Sequence, residues 1–312
     1  MVDANQKLSD AANDNANDAA NNDSNGDAPR ICWRSFELAA GFVQNLQIGP
    51  TKIQVAHLDR EWWIAATRND EAGAATKFNK VVIDPPVALD ASTAGSHVNS
   101  DIKRYATSKK TPGFRLMPVL PDLPVVCRPL NPLFVLPGDQ VEFYVSIPVW
   151  IKVLLNSSND NDGTAVAEIP AVLLNKTWVG STTVEGEIAY SSKTRARLNF
   201  GDVPLNPHMA TTGVIVRNLA AKPLALDYLS IPTGFLHAYA TPEGFLSTDG
   251  ILLEHREGGV FADLEIMSHP LNILPGNPAN QWTRIGPARR DPQEQSVVRA
   301  FSSFLSRMEP TS

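Results

Sequence analysis

The chain has little cysteine and no export signal. Its 312 residues include two cysteines, Cys32 and Cys127, which belong to no CxxC motif. The N-terminus has neither the basic segment nor the apolar stretch of a secretory signal. A disulfide between such distant cysteines is one interpretation, but buried free thiols fit a chain without an export signal better. We therefore expect a cytoplasmic protein with reduced thiols.

A membrane span is missing as well. The longest apolar stretch, residues 141–155, has fifteen residues and contains Glu142, Pro148 and Lys152. A spanning helix needs about 20 mostly apolar residues. The sequence thus predicts a soluble protein with no direct membrane span.

The sequence also lacks an excess of positive charge. Its net charge is −6, and residues 1–30 hold six aspartates against Lys7 and Arg30, a net of −4 that leaves −2 for the rest of the chain. A nearly neutral body lacks the broad positive field that nucleic acid binding requires. We therefore expect no nucleic acid partner.

Motifs for catalysis, metals and nucleotides are absent. There is no G-x-S-x-G elbow, P-loop or dinucleotide fingerprint, and the six histidines form no HxH, HxxH or HExxH pattern. His208, His237 and His255 remain weak candidates for a dispersed metal or hydrolase site, because β folds bring distant strands together. We predict no catalytic residue, no metal and no cofactor, and regard an enzyme as the less favoured class.

The chain does contain short alternating segments separated by turn residues, which is typical of an antiparallel β-sandwich. We predict an all-β protein, mainly an antiparallel β-sandwich in one body or two halves, with a disordered N-terminus and a C-terminal amphipathic helix. The predicted regions are a disordered acidic Asn/Asp/Ala-rich tail (1–30), a first β-rich half (31–155), a polar loop or linker (156–164), a second sandwich half (165–285) and a helix (291–309).

Residues 136–155 give the clearest strand pattern. A Pro-Gly-Asp turn precedes Val141, Phe143, Val145 and Ile147, which alternate with polar or amphipathic residues. This period of two predicts one buried and one solvated face. Because Pro148 does not donate to a ladder, we expect a kinked or edge strand there.

The C-terminal helix is predicted from its capping signals. Asp291 stands at the N-cap position, Pro292 at the first helical position and Glu294 three residues after the cap. A stripe of apolar residues with a spacing of three or four follows, ending at Met308. We expect this helix to pack on the sandwich or to bind a partner.

Five residues are candidates for an interaction surface. Tyr144 and Trp150 lie opposite the alternating valines, Trp178 offers an aromatic ring suited to stacking on sugars, and Arg195 and Arg197 lie two apart on one strand face. Paired arginines clamp a carboxylate or phosphate, but they equally suit a solvated sheet face. Both interpretations stay open here.

Several blocks resemble a family known as domain of unknown function 432. They comprise residues 137–152 (Pro-Gly-Asp to Ile-Lys), 178–200 (Trp-Val-Gly-Ser to Leu-Asn-Phe), 213–229, 236–239 and 244–253. The resemblance covers about residues 41–268, and Ser247-Thr248 departs from an expected Trp-Thr pair. It implies no established activity. An association of such genes with mechanosensitive channel genes implies an integral membrane protein as partner.

The sequence therefore favours a non-enzymatic, cytoplasmic β-sandwich protein that acts through protein–protein contacts, as an accessory to a membrane complex such as a channel. A carbohydrate-binding or carbohydrate-active module is the alternative. A hydrolase or metalloenzyme with a dispersed histidine site is the second alternative.

Overall fold

The fold was analysed in a computed structural model of the chain. The structure describes residues 32–69, 80–89, 102–108, 111–157, 160–180, 186–257, 261–271, 282–294 and 297–299. The predicted tail, 1–30, lies outside these residues. Within them no helix has the length and apolar character needed to cross a bilayer.

The described residues form β-strands joined by turns and short 3-10 segments, as the all-β prediction requires. The strands are β1 (Ser35–Glu37), β2 (Phe42–Ile48), β3 (Thr51–His57), β4 (Glu61–Arg68), β5 (Val81–Ile83), β6 (Val87–Ala88), β7 (Lys103–Ala106), β8 (Gly113–Val119), β9 (Val125–Pro129), β10 (Leu133–Val135), β11 (Gln140–Pro148), β12 (Trp150–Ser157), β13 (Asp160–Pro170), β14 (Asn175–Gly180), β15 (Gly186–Ala196), β16 (Met209–Asn218), β17 (Leu224–Leu226), β18 (Leu229–Ile231), β19 (Ala238–Ala240), β20 (Leu246–Thr248), β21 (Ile251–His255), β22 (Phe261–Ile266), β23 (Thr283–Gly286) and β24 (Val297–Arg299).

Two sheets of the N-terminal part enclose a first core. One sheet has the order β5-β2-β3-β4-β7, with β6 also on β2, and the other has the order β1-β8-β12-β13. Apolar side chains of both sheets meet in one buried cluster that includes Ile48, Ile53, Trp62, Phe114 and Ile151. We call this unit the N-sandwich.

The remaining sheets enclose a second core. The largest sheet runs β23-β19-β20-β16-β21-β22-β24, with β11 also on β16, and it lies over the sheet β14-β15-β9-β18 and the ribbon β10-β17. Their shared cluster includes Val125, Phe143, Val214, Leu229 and Leu253. We call this unit the C-sandwich. Among the pairs described, β15–β9, β16–β20 and β16–β21 are parallel and the others antiparallel.

The run 136–155 connects the two sandwiches. Phe143, Val145 and Ile147 are buried, as the alternation predicts, whereas Val141 is only partly buried and Ser146, on the face expected to be solvated, is buried. After Pro148 the chain leaves β11 of the C-sandwich and enters β12 of the N-sandwich, with Val149 as the link. The break at Pro148 is therefore a change of sheet.

The polar segment 156–164 spans the end of β12, a two-residue connection and the start of β13. Ser157 of β12 pairs with Asp160 of β13. β9 to β11 precede the segment in the chain but contribute to the second core. The domain boundary expected at 156–164 stays a prediction.

The predicted C-terminal helix is wrong for the described residues. Pro292–Glu294 forms a single 3-10 turn, in which the backbone N–H of Glu294 donates to the carbonyl of Asp291 at 3.1 Å. Residues 297–299 then form β24, antiparallel to β22. The physical reason is a tertiary partner: β22 presents an edge, and the β-branched residues Val297 and Val298 favour pairing with it as a strand. The rest of the predicted helix, 300–309, lies outside the described residues.

Candidate functional site

A groove of about 510 Å³ lies on the outer side of the sheet β14-β15-β9-β18. Three exposed cationic side chains line it: Arg128 of β9, and Lys193 and Arg195 of β15. Trp178 and Tyr228 line it as well, and no carboxylate is among its described lining residues. We call it the basic groove.

The register of β9 and β15 places two positive charges next to each other. Arg195 is the direct Cα partner of Arg128 in this parallel pair, and neighbouring strands lie only about 5 Å apart. Like charges directly opposite on adjacent strands destabilise a sheet. Arg217, by contrast, is neutralised by Glu254 at 2.7 Å.

The three groove cations have no such neutralisation in the part of the chain that the structure describes. Arg128, Lys193 and Arg195 form no ion pair there, whereas Arg256 pairs with Asp263 at 2.9 Å although both are exposed. Among the described residues the groove therefore gathers three cations without an ion pair, in a body (residues 31–312) whose net charge is −2.

A bulge in β15 brings Lys193 to the groove. Ser191 pairs with Val126 and Arg195 pairs with Arg128. The four-residue step on β15 therefore lies opposite a two-residue step on β9, so β15 has two extra residues at this point. The extra residues are fixed by hydrogen bonds, because Thr194 Oγ1 donates to the carbonyl of Ser146 at 2.8 Å and lies 2.6 Å from Ser192 Oγ. Bulges of this kind commonly redirect side chains at binding sites.

The β14–β15 hairpin adds exposed apolar surface beside the groove. Trp178 and Ile188 are cross-strand partners with 47% and 53% of their surfaces exposed. The indole of Trp178 lies where a Cβ at Gly186 would be, so glycine at that position allows the ring to pack against the strand. An exposed tryptophan next to a basic groove suits recognition of a partly apolar anionic ligand.

The structure brings together two of the five predicted surface residues. Trp178 and Arg195 line the basic groove, but Arg197 does not. Arg197 follows the end of β15 and forms a backbone bridge with Tyr144. The paired-arginine arrangement is therefore made by Arg195 and Arg128.

The other two predicted surface residues lie elsewhere. Tyr144 packs edge-on against Phe200, with ring centroids 5.4 Å apart, and its hydroxyl donates to Glu142 at 2.6 Å. Burial, followed by this hydrogen bond, raises the pKa of Tyr144. Trp150 is half-buried beneath the guanidinium of Arg289, 5.3 Å from its ring. As interaction residues these two stay predictions.

The three candidate histidines do not form one site. His208 directly precedes β16, whereas His255 pairs with Asn218 at the other end of this ten-residue strand. At about 3.3 Å per residue the two histidines are about 30 Å apart. In the described ranges no group of three or more His, Cys, Asp or Glu side chains is arranged so that it could hold a metal ion. The described residues do not bring His208 and His255 together, and the dispersed metal or hydrolase site stays a prediction.

His237 instead belongs to a buried polar network that sequence reasoning missed. Its Nδ1 donates to Asp249 Oδ2 at 2.8 Å, and its backbone N–H donates to the same oxygen at 2.7 Å. Tyr239 donates its hydroxyl to Asp249 Oδ1 at 2.7 Å. Burial, and then the bond to Asp249, raise the pKa of Tyr239. No sequence motif marks Asp249 or its partners.

This network does not amount to a catalytic triad. Asp249 is fully buried and its two oxygens accept three hydrogen bonds. Within the described residues, Nε2 of His237 has no hydrogen-bonded serine, threonine or cysteine. Cys32 and Cys127 are free and buried, as expected, and burial raises the pKa of each thiol to about 12. Neither is a thiolate at neutral pH.

Fold and groove together define an all-β protein with a basic groove on the outer side of one sheet. The chain matches the family described as "Protein of unknown function (DUF432)" over residues 32–308, and it belongs to this family. No curated protein and no solved structure matches it.

Proposed function

We propose that this chain is a non-enzymatic binding protein of the cytoplasm that acts through protein–protein contacts, with the basic groove as its contact surface. The observation that carries the proposal is the pair Arg128 and Arg195, which are direct neighbours on adjacent strands with Lys193 in the same groove and which form no ion pair among the described residues. Two adjacent positive charges repel each other and weaken the sheet. An anionic ligand that binds both charges best explains why this arrangement is present.

The ligand that fits is an acidic peptide segment of a partner protein. Guanidinium groups bind carboxylates through two parallel hydrogen bonds, and the exposed Trp178–Ile188 pair offers apolar contact beside them. The family resemblance suggests where the partner lies: we propose an acidic cytoplasmic segment of an integral membrane protein, such as a channel.

A binding measurement with matched charge variants tests the groove. A fluorescein-labelled peptide of twelve glutamates is titrated into the full chain, the groove variant Arg128→Gln/Arg195→Gln and a control, Arg60→Gln/Lys80→Gln, whose lost charges lie in the N-sandwich. We expect the groove variant to bind at least about tenfold more weakly, because each charge-assisted hydrogen bond contributes about 1.5 kcal/mol. The control retains the wild-type affinity.

Affinity purification from native cells, with solubilised membranes included, then identifies the partner. The supporting result is a protein with an acidic segment that the wild type and the control capture and the groove variant does not. Recovery of the chain alone, or equal capture by all three, contradicts the proposal. So does tighter binding of a single-stranded oligonucleotide than of the glutamate peptide.

Carbohydrate binding is a second candidate, because Trp178 and Tyr228 line the same groove as the three cations. Aromatic rings stack on sugars, and the cations would select sugars that carry carboxylates. Titration with uronic acid oligosaccharides distinguishes this function. Trp178→Ala is expected to abolish binding, while Phe134→Ala, an exposed aromatic outside the groove, retains it. A flat response to acidic and neutral sugars removes this candidate.

A further inference from the structure

We propose that the acidic N-terminal tail, residues 1–30, occupies the basic groove of the same chain and competes with the partner for it. This inference rests on the proposed function, since it assumes that the groove binds acidic peptide. The groove presents three cations that no described carboxylate neutralises. A segment of opposite charge within the same chain is the nearest source of compensation.

The composition of the tail matches the groove. Its net charge is −4, because it has two cations, Lys7 and Arg30, and six aspartates: Asp3, Asp10, Asp14, Asp18, Asp23 and Asp27. Most of its other residues are alanine and asparagine, which are small enough to let a peptide backbone approach a sheet surface. Its charge complements the +3 of the groove cations.

The tail is long enough to reach the groove. A fully extended chain spans about 3.4 Å per residue, so Asp10 reaches about 75 Å from Cys32. A folded body of this size has a radius of gyration of only about 20 Å. A tethered segment of this length has an effective concentration of about 1 mM, which makes even weak binding effective within one molecule.

Paramagnetic relaxation in the full chain tests this contact directly. A nitroxide label is attached at Ser24→Cys in ¹⁵N-labelled protein. Cys32 and Cys127 are buried and protonated at neutral pH, so they react slowly with the reagent. We expect the amide signals of Arg128, Lys193 and Arg195 to lose more than half of their intensity relative to the reduced label. Treated wild-type chain, which lacks the added cysteine, serves as the labelling control.

Charge variants show whether the contact is electrostatic. Changing the six tail aspartates to asparagine, or Arg128→Gln/Arg195→Gln in the groove, is expected to restore the signals. The control Arg60→Gln/Lys80→Gln leaves them broadened. At 0.5 M salt the Debye length falls to about 4 Å, and the broadening is expected to disappear. Broadening centred on another surface, or arising only between labelled and unlabelled copies, overturns the proposal.

A second measurement separates this inference from the proposed function. The glutamate peptide is titrated into the wild type and the asparagine-tail chain, and we expect about fivefold tighter binding without the tail charges. Equal, groove-dependent binding to both chains overturns the tail contact and leaves the groove function standing. Binding to neither, or binding that does not depend on Arg128 and Arg195, overturns both.

Discussion

His208 couples the folding of this protein to pH. It is fully buried, neither ring nitrogen has a hydrogen-bond partner among the described residues, and burial lowers its pKa to about 4. It lies where the sandwiches meet: its carbonyl accepts the N–H of Val149, and its ring lies against Gly49 of the β2–β3 turn. The folded state therefore holds a neutral imidazole at the junction.

We predict that acid destabilises the protein through His208. Below pH 6.5 the unfolded chain binds a proton at this residue that the folded chain does not bind until about pH 4, so stability is lost as pH falls through this window. The loss attributable to His208 between pH 7.5 and pH 5 is about 2 kcal/mol. When urea denaturation is measured at both pH values, the free energy of unfolding of His208→Leu is expected to fall less between pH 7.5 and pH 5 than that of the wild type. His269→Gln, which changes an exposed histidine, retains the wild-type loss; an equal loss in all three proteins contradicts the prediction.

Asp249 determines the local stability of the β19–β20 hairpin. Replacing Tyr239 by Phe removes one of the three donors to its buried carboxylate. We expect a loss of about 2 kcal/mol in the free energy of unfolding, because a hydrogen bond to a buried charge contributes about 1.5 to 3 kcal/mol. Tyr144→Phe breaks a similar bond to the exposed Glu142 and serves as the control, with a loss below about 0.5 kcal/mol. If chemical denaturation gives Tyr239→Phe and Tyr144→Phe equal losses in the free energy of unfolding, the prediction is wrong.

At the scale of elements, the bulge of β15 connects stability to the groove. Thr194→Val keeps the shape of the side chain but removes the hydrogen bond to Ser146. We expect a stability loss of about 1 kcal/mol and several-fold weaker binding of the glutamate peptide, because Lys193 is no longer held in place. Thr194→Ser keeps the hydroxyl and should bind as the wild type does. If Thr194→Val binds normally, the bulge does not position the groove.

Arg289 fixes the chain that follows β23. Its Nε donates to the carbonyl of Leu120 at 2.6 Å, one terminal nitrogen pairs with Glu168 at 2.7 Å, and its guanidinium lies over Trp150. Arg289→Lys loses the fork geometry and the stacking, so we expect a loss of about 1 to 2 kcal/mol in urea denaturation. Arg256→Lys, in a more exposed pair with Asp263, is expected to lose clearly less stability than Arg289→Lys, because exposed ion pairs contribute little. Equal effects mean that Arg289 contributes no more than a surface ion pair.

Elements with strong local patterns were predictable from the sequence. The alternation of Phe143, Val145 and Ile147 predicted their burial, because a period of two depends only on the strand itself. The C-terminal helix failed because capping signals at Asp291 and Pro292 compete with the edge of β22, a tertiary partner that local patterns do not reveal. The groove was half predictable: Trp178 and Arg195 stood out by residue type, but Arg128 enters through a parallel pairing with a distant strand.

At the scale of the whole molecule, the part of the chain that the structure describes crosses between the sandwiches three times. It leaves the N-sandwich between β8 and β9, returns at Val149, and leaves again between β13 and β14. Backbone hydrogen bonds join the crossings, with Ala171 donating to Val149 and Val149 donating to His208. Trp33 packs against both cores. Neither sandwich is a continuous stretch of sequence.

We therefore predict that the two sandwiches unfold together. Differential scanning calorimetry of the full chain is expected to give a single transition with equal calorimetric and van't Hoff enthalpies. If one sandwich unfolds, the other loses strand ends and hydrogen-bond partners at each of the three places where the chain passes between them. Two resolved transitions, or an enthalpy ratio near two, would contradict this.

The crossing at Pro148 also affects synthesis on the ribosome. The N-sandwich is fully translated once β13 has emerged, but β11 belongs to the C-sandwich and must wait for β16, roughly 60 residues later. At about 5 to 20 residues per second, this wait lasts several seconds. During that time a strand rich in valine, isoleucine and phenylalanine has no partner, which makes β11 the segment of the nascent chain where a chaperone would be expected to bind.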